Sequence, residues 1–444
     1  MDTVDLLIRP HWLIPVEPAS VTLEGHAVAV KDGRIVAVLP DREARECFRA
    51  REEVTLPHHV LIPGLVNLHT HAAMTLMRGL ADDLPLMTWL QEHIWPAEAK
   101  HVSANFVHDG TLLAAAEMLR GGITCFNDMY FFPHAAGTAA ARAGIRAVLG
   151  LTVLEFPTNF AADADDYIAK GLAARDTLLR ESAPHIHFAL APHAPYTVSD
   201  RSFSRIATIA DELDLPIHTH LHETRDEIEG SLKQYGVRPL ERLRRLGLLG
   251  PNLVAVHAVH LDPAEIALIA ANNVSIAHCP ASNLKLASGI APVRALLDAD
   301  INVGIGTDGA ASNNRLDVLA EMRLASLLAK GAGGDASTPD AHRALRMATL
   351  AGAQALGLGS EIGSIMPGKW ADLCAIDLSD PLVSPCYSPV SHLAYVAGRE
   401  NVSHVWVGGQ KRVENGALTG FDKKDLANLA SIWQTKLCPR KTSS

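Results

Sequence analysis

Short apolar runs of five to seven residues recur between residues 60 and 306, separated by stretches whose apolar positions fall at helical spacing. Eight such runs are present: Val60 to Val66, Ile123 to Asn127, Arg146 to Leu151, Ile186 to Ala191, Pro216 to Leu221, Leu253 to His257, Val274 to His278 and Ile301 to Gly306. Ser103 to Arg120 and Asp262 to Asn272 read as helices, the second with Asp262 placed to cap and Pro263 at the first helical position. Alternating strand and helix signals predict an α/β fold, a (β/α)8 TIM-type barrel. The alternative, a doubly wound open sheet, would call for G-x-G-x-x-G after the first run, and that motif is absent.

The two ends of the chain read differently. Residues 4–60 hold short alternating runs broken by Asp32-Gly33, a hairpin signal. Ala371 to Ile376 and Val405 to Val407 repeat that pattern before a helix expected around Lys424 to Lys436. The expected organisation is therefore a barrel over 61–364 and a small β-sandwich built from 1–60 and 365–444.

Composition narrows the function classes. Lys and Arg number 39 against 49 Asp and Glu, a formal charge of −10, with no basic run to serve as a nucleic-acid footprint. Six cysteines lie far apart without C-x-x-C, which points to reduced thiols in the cytoplasm rather than a disulfide framework. The N-terminus lacks a basic segment followed by an apolar run, and no stretch of about 18 uncharged apolar residues occurs, so neither export nor a membrane partner is expected. The unusual number is 22 histidines.

In a barrel of this kind the chemistry collects where strands end. The first run leads into His69-Thr70-His71, the fourth into His193, the fifth into His218-Thr219-His220-Leu221-His222-Glu223, the sixth ends at His257 and the eighth leads into Asp308. Histidines at i and i+2 of an extended segment share a face and can hold one ion. Four His-x-His pairs occur (69/71, 185/187, 218/220, 220/222), where chance supplies roughly one, and hydrogen-bonded structural histidines would explain a lone pair. Position is the stronger signal, because ligand-type residues follow several separate runs.

These segments resemble the amidohydrolase superfamily, through PGLVNLHTH, HTHLHET, VHAVHL and GTDGAASNN. More narrowly, HTHAAMTLMRGLADDLPLMTWL, APHAPYTVS and HCPASNLKLASGIAPV are similar to the 5′-methylthioadenosine/S-adenosylhomocysteine deaminases. The resemblance implies His69, His71, His220 and Asp308 as metal ligands, and three imidazoles with one carboxylate do leave a position for water. His193 stands where two-metal relatives carry a bridging lysine, so one divalent ion per chain is expected. Zinc is the first choice, with iron(II), nickel(II) and manganese(II) also suited to the donor set. The implied reaction is attack of a metal-bound hydroxide on C6 of a 6-aminopurine nucleoside, giving the 6-oxo nucleoside and ammonia. Glu223 would shuttle protons, His257 would hydrogen-bond to the attacking oxygen without binding the ion, and Asp308 would accept the water proton.

By the same resemblance Glu98 would bind the ribose hydroxyls, His193 the sugar and purine edge, and Arg146 a homocysteine carboxylate. Each has a plainer reading: a solvated helix carboxylate, a strand-end structural histidine, and an arginine that merely opens a strand. Trp89 reads as a helix core residue that could also line the pocket, while His185 and His187 sit at the wrong end of their strand for chemistry. The runner-up function keeps the same ligands but acts on guanine, a pterin, aminofutalosine or an s-triazine. A non-catalytic binding protein would be expected to lack the proton-transfer set, yet Glu223, His257 and Asp308 are all present. H-E-x-x-H and H-x-E with P-C-x-x-C are both missing, which removes the peptidase and cytidine-deaminase readings. The expected partner is a small purine nucleoside, not nucleic acid or membrane. Homo-oligomerisation is left open.

Overall fold

The computed structural model describes residues 1–181, 183 and 185–438; residues 439–444 of the expected C-terminal segment lie outside the described residues. Eight parallel strands run in sequence around a barrel: Leu65–Thr70 (β1), Ile123–Tyr130 (β2), Arg146–Val153 (β3), Ile186–Pro192 (β4), Ile217–Leu221 (β5), Leu253–His257 (β6), Ser275–His278 (β7) and Val303–Ile305 (β8). Every residue of β2 and β3 is buried, as expected for strands covered on both faces, and this is why they read as nearly unbroken apolar runs. The seam between β8 and β1 is closed just past the strands. There the Thr307 and Asp308 amides both donate to the His69 carbonyl, at 3.1 and 3.0 Å. Asn67 accepts from the Thr307 amide at 2.9 Å and donates to its hydroxyl at 2.8 Å. Gly306 permits this approach, since a Cβ there would lie 2.9 Å from that of His69.

Both sequence-read helices form. Ser103 caps Ala104–Arg120, and Asp262 closes a capping box at the start of Pro263–Ala271 with Pro263 in the first turn.

The termini meet in one nine-stranded mixed sheet. Phe48–Pro63 pairs antiparallel with Leu373–Asp377, joining the two ends of the chain. Leu6, Val28, Val30 and Ile35 share a buried cluster with Leu373, Ala375 and Trp406, which gives the sheet a sandwich-like core. The turn between His26–Lys31 and Arg34–Pro40 has φ of +51° at Asp32 and +77° at Gly33, the left-handed pair a type I′ turn requires. The C-terminal helix Lys423–Leu437 docks through Trp433, whose indole donates to Asp109 at 2.8 Å.

One run was not a single strand. Val60–Pro63 ends the terminal-sheet strand, whereas Leu65 begins β1, and the break falls at Gly64. A Cβ on Gly64 would sit 2.1 Å from the Thr124 hydroxyl, so only glycine lets the chain pass from sheet to barrel there. All six cysteines are free, and among the described residues no helix is long and apolar enough to cross a membrane.

Candidate active site

His69, His71, His220, His257 and Asp308 converge at the carboxyl ends of β1, β5, β6 and β8. Donor atoms of His69, His71 and Asp308 lie within 4.8 Å of one another, as do those of His69, His220 and His257. Asp308 Oδ1 is 3.3 Å from His69 Nε2 and 3.2 Å from His71 Nε2, and the Nε2 atoms of His220 and His69 are 3.3 Å apart. The backbone is left-handed at His222, His257, Ala258 and Asp308, with φ between +48° and +72°. Such non-glycine conformations are costly and gather where side chains must be aimed.

The surroundings fix which nitrogen faces the cluster. His71 Nδ1 donates to the Met129 carbonyl at 2.6 Å and His220 Nδ1 to the His193 carbonyl at 2.7 Å. A carbonyl only accepts, so each ring carries its proton on Nδ1 and can turn an Nε2 lone pair inward. His69 Nδ1 lies 2.9 Å from His218 Nε2 and can be committed in the same way. Asp308 accepts from Ser282 at 2.6 Å, Ser312 at 2.8 Å and the Gly309 amide at 2.7 Å. Burial pushes the Asp308 carboxyl up, but hydrogen bonds from His69 and His71 outweigh it and hold the group well below the usual carboxylate range. Burial likewise opposes the charged form of His71, yet hydrogen bonding and attraction from Asp308 outweigh it and lift the ring to about 9. Burial lowers His69 to about 4 and His220 well below its ordinary value. Three oriented imidazoles and an ionised carboxylate fit a divalent ion by the chemistry of the donors.

Glu223 and His257 stand beside this cluster. His257 Nδ1 is held by Asn283 Oδ1 at 2.8 Å, while its Nε2 is 3.8 Å from Glu223 Oε2. Burial raises the Glu223 carboxyl, against the pull of His257 and with the help of Asp308, so it keeps a proton to higher pH than a solvated glutamate.

His71, His220, Glu223, His257 and Asp308 bound one cavity of about 530 Å³ together with Glu98 and His193, with His69 buried behind them. Glu98, on the helix Trp95–His101, accepts from the Tyr130 hydroxyl at 2.7 Å, and burial pushes it up to about 7. His193 uses Nδ1 on Thr197 at 3.0 Å, and burial drives its pKa down to about 3, leaving a neutral ring. Trp89 also lines the cavity.

Arg146 is not brought to the site, and the role expected for it is corrected. It opens β3, at the barrel end remote from the cavity, is 1% exposed, and gives Nε and Nη2 to Asp372 at 3.0 and 3.2 Å. A guanidinium spent on a buried carboxylate has no fork left for a ligand. The sequence reading missed the residues that aim the others: His218 behind His69, Asn283 behind His257, Ser282 and Ser312 on Asp308, and Tyr130 on Glu98. Ser282, Asn283 and Ser312 lie inside the segments that carried the resemblance, but what they touch is set by the barrel closing, not by local spacing.

A match to the amidohydrolase family spans residues 60–412. A 5-methylthioadenosine/S-adenosylhomocysteine deaminase of Teredinibacter turnerae is 47% identical over 98% of this chain and 98% of its own, and one from Saccharophagus degradans is 46% identical over 99% and 98%. The crystal structure of an adenosine deaminase from Xanthomonas campestris with bound zinc superposes with a TM-score of 0.96 at 49% identity, covering 98% of this chain and 99% of that one. An atrazine chlorohydrolase from Arthrobacter aurescens in complex with zinc gives 0.87 at 25% identity, covering 96% and 99%.

Proposed function

The chain belongs to the amidohydrolase family, and from that premise we propose that it hydrolytically deaminates 6-aminopurine nucleosides of the adenosine, 5′-methylthioadenosine and S-adenosylhomocysteine type. The observation that carries the reading is one cavity bounded both by His71, His220 and Asp308 of the oriented cluster, with His69 behind them, and by a separate half-buried carboxylate, Glu98, suited to a sugar. A single divalent ion, zinc before iron, nickel or manganese, is assigned to those four residues. When bound it supplies Lewis acidity that activates water near neutral pH.

The chain's own groups then move the protons. Glu223, holding its proton, gives it to N1 as the water oxygen adds to C6. His257, fixed by Asn283, orients that oxygen through Nε2. Asp308 takes one water proton and passes it to the amine, which leaves as ammonia, and the remaining hydroxyl proton returns to Glu223 as the 6-oxo group forms. Glu98 accepts from the ribose hydroxyls and His193 contacts the sugar edge. The reading carries with it a barrel that begins at Leu65 rather than at 61 and runs to 364, with a small unit from residues 1–63 and 365–444, supported by the pairing of Phe48–Pro63 with Leu373–Asp377. It also carries a cytoplasmic setting and no nucleic-acid partner, in keeping with the −10 charge.

Glu98 separates this from action on a bare heterocycle such as guanine, a pterin or an s-triazine. Losing charge-assisted bonds costs about 1.5–3 kcal/mol, so Glu98→Gln should lower kcat/KM for ribonucleosides roughly tenfold to a hundredfold. The 2′,3′-dideoxy analogue should react poorly with wild type and be hurt far less by the mutation. Equal losses on both substrates would show that Glu98 does not read a sugar.

A further inference from the structure

Glu223 reaches the cavity from a link that belongs to neither strand nor helix. β5 ends at Leu221 and the next helix, Arg225–Tyr235, is capped by Thr224, so the amides of His222 and Glu223 have no place in a ladder or a helical turn. Both residues are buried, and one side chain takes both amides: Glu227 accepts from His222 through Oε1 and from Glu223 through Oε2, each at 2.9 Å. Glu227 is itself 6% exposed. The conformation it grips is a costly one, since His222 is left-handed at φ +54°. The other polar groups of His222 are committed as well. Its carbonyl accepts from the Val259 and His260 amides at 3.0 Å, its Nδ1 lies 3.2 Å from the His260 carbonyl, and its Nε2 accepts from the Leu240 amide at 3.1 Å.

Helix capping alone does not call for this arrangement. Glu227 is third in its helix, and a glutamate there ordinarily reaches back to the amide of the cap residue, as Glu265 does to Asp262 at 3.0 Å in the helix Pro263–Ala271. Glu227 instead passes its cap, Thr224, and takes the two amides before it. At its other end the Glu223 carboxyl meets the Ser288 hydroxyl at 3.3 Å and stands 3.8 Å from His257 Nε2, contacts too long to aim it by themselves.

We propose that Glu227 is the positioning residue of the proton shuttle: its carboxylate fixes the backbone of His222 and Glu223 so that the Glu223 carboxyl faces the purine N1. The inference rests on the deaminase reading, with Glu223 as its proton carrier. Two backbone N–H groups need two acceptor oxygens, which a carboxylate offers and a carboxamide does not, because its nitrogen would face one of them donor to donor. The orphaned amide is then buried without a partner, and the link shifts to relieve it. A misplacement of about 1 Å at a reacting group costs about a hundredfold in rate.

The test is a double-mutant cycle on kcat for 5′-methylthioadenosine with metal-loaded enzyme. Glu227→Gln should keep its metal by elemental analysis and its KM within about threefold, and lose kcat by about tenfold to a hundredfold. Added to Glu223→Gln, the same substitution should lower kcat by no more than about twofold further, since no shuttle is left to aim. A residue that merely held the fold would damage both backgrounds alike. If Glu227→Gln does not fold, Glu227→Asp goes through the same cycle; it keeps the charge but withdraws it by one methylene, and the same pattern is expected. Losses that multiply across the two backgrounds, or a metal-replete Glu227 variant with wild-type kcat, would overturn the inference and leave the deaminase reading intact. A Glu223→Gln enzyme with wild-type turnover would remove the shuttle, and this role for Glu227 with it.

Discussion

Replacing Arg146 by methionine tests whether the residue holds the fold or reads the substrate. Its guanidinium makes two bonds to Asp372, which is 3% exposed and has one further donor, the Gly408 amide at 2.7 Å. The pair ties the start of β3 to the segment entering the terminal-sheet strand Leu373–Asp377. Arg146→Met leaves the Asp372 anion in a dry site with that single amide, and breaking a buried pair from one side costs about 3–5 kcal/mol. At about 2.1 cal/mol/K of unfolding entropy per residue, a chain of 444 residues melting as one unit loses about 1 °C per kcal/mol. Calorimetry of the metal-loaded proteins at one scan rate should therefore show Tm lower by about 3–5 °C. The double variant Arg146→Met/Asp372→Asn, which leaves no unpaired charge, should recover much of the loss. KM for nucleosides, S-adenosylhomocysteine included, should stay within about twofold, because the remote pair touches no substrate. An unchanged Tm with KM for that zwitterion raised tenfold or more would refute the reasoning and return Arg146 to the binding site.

Glu223→Gln should retain the metal and lose kcat by about 10²–10⁴, checked by elemental analysis alongside turnover; a metal-replete variant that still turns over would remove the proton-transfer role. His257→Asn should keep its metal and slow the reaction, whereas Asp308→Asn should lose both metal and activity; a His257 variant that loses metal as readily as a His69 variant would make His257 a ligand. Glu321 is buried, accepting from the Ala281 amide at 3.0 Å and Asn313 at 2.8 Å, and burial lifts its carboxyl from 4.5 to about 8 despite those bonds. The folded chain thus holds a proton that the unfolded chain releases, so this contribution to stability is full below about 4.5 and is lost as pH rises to about 8. Glu321→Gln should flatten the decline of Tm with pH across that window, and parallel profiles would contradict the assignment.

What could be read from the chain follows from how the barrel is built. His69, His71, His220, His257 and Asp308 were legible because each ends or follows a run buried on both faces, and the carboxyl ends of such strands share one rim. The same rule, applied to a residue that opens its run, places Arg146 at the opposite rim; its assignment to substrate rested on resemblance alone. Val60 to Val66 looked like one strand because two buried strands abut across Gly64, and apolarity carries no mark of which sheet a residue joins. His218, Asn283, Ser282, Ser312 and Tyr130 act through contacts between residues far apart in sequence, and no periodicity records those. Leu90 and Trp95 went unread as cavity lining, and Trp89 was left between two readings, because all three satisfy a helix pattern whether they face a core or a ligand.

The most direct measurement is ammonia release by metal-replete enzyme across adenosine, 5′-methylthioadenosine, S-adenosylhomocysteine, guanine, a pterin and aminofutalosine, and chloride release from a chlorotriazine, with each oxo product identified by mass. The account predicts a gain of one mass unit and stoichiometric ammonia from adenine nucleosides, and little or no turnover of the bare heterocycles. Turnover confined to guanine, a pterin or the triazine, with adenosine and 5′-methylthioadenosine inert, would contradict it.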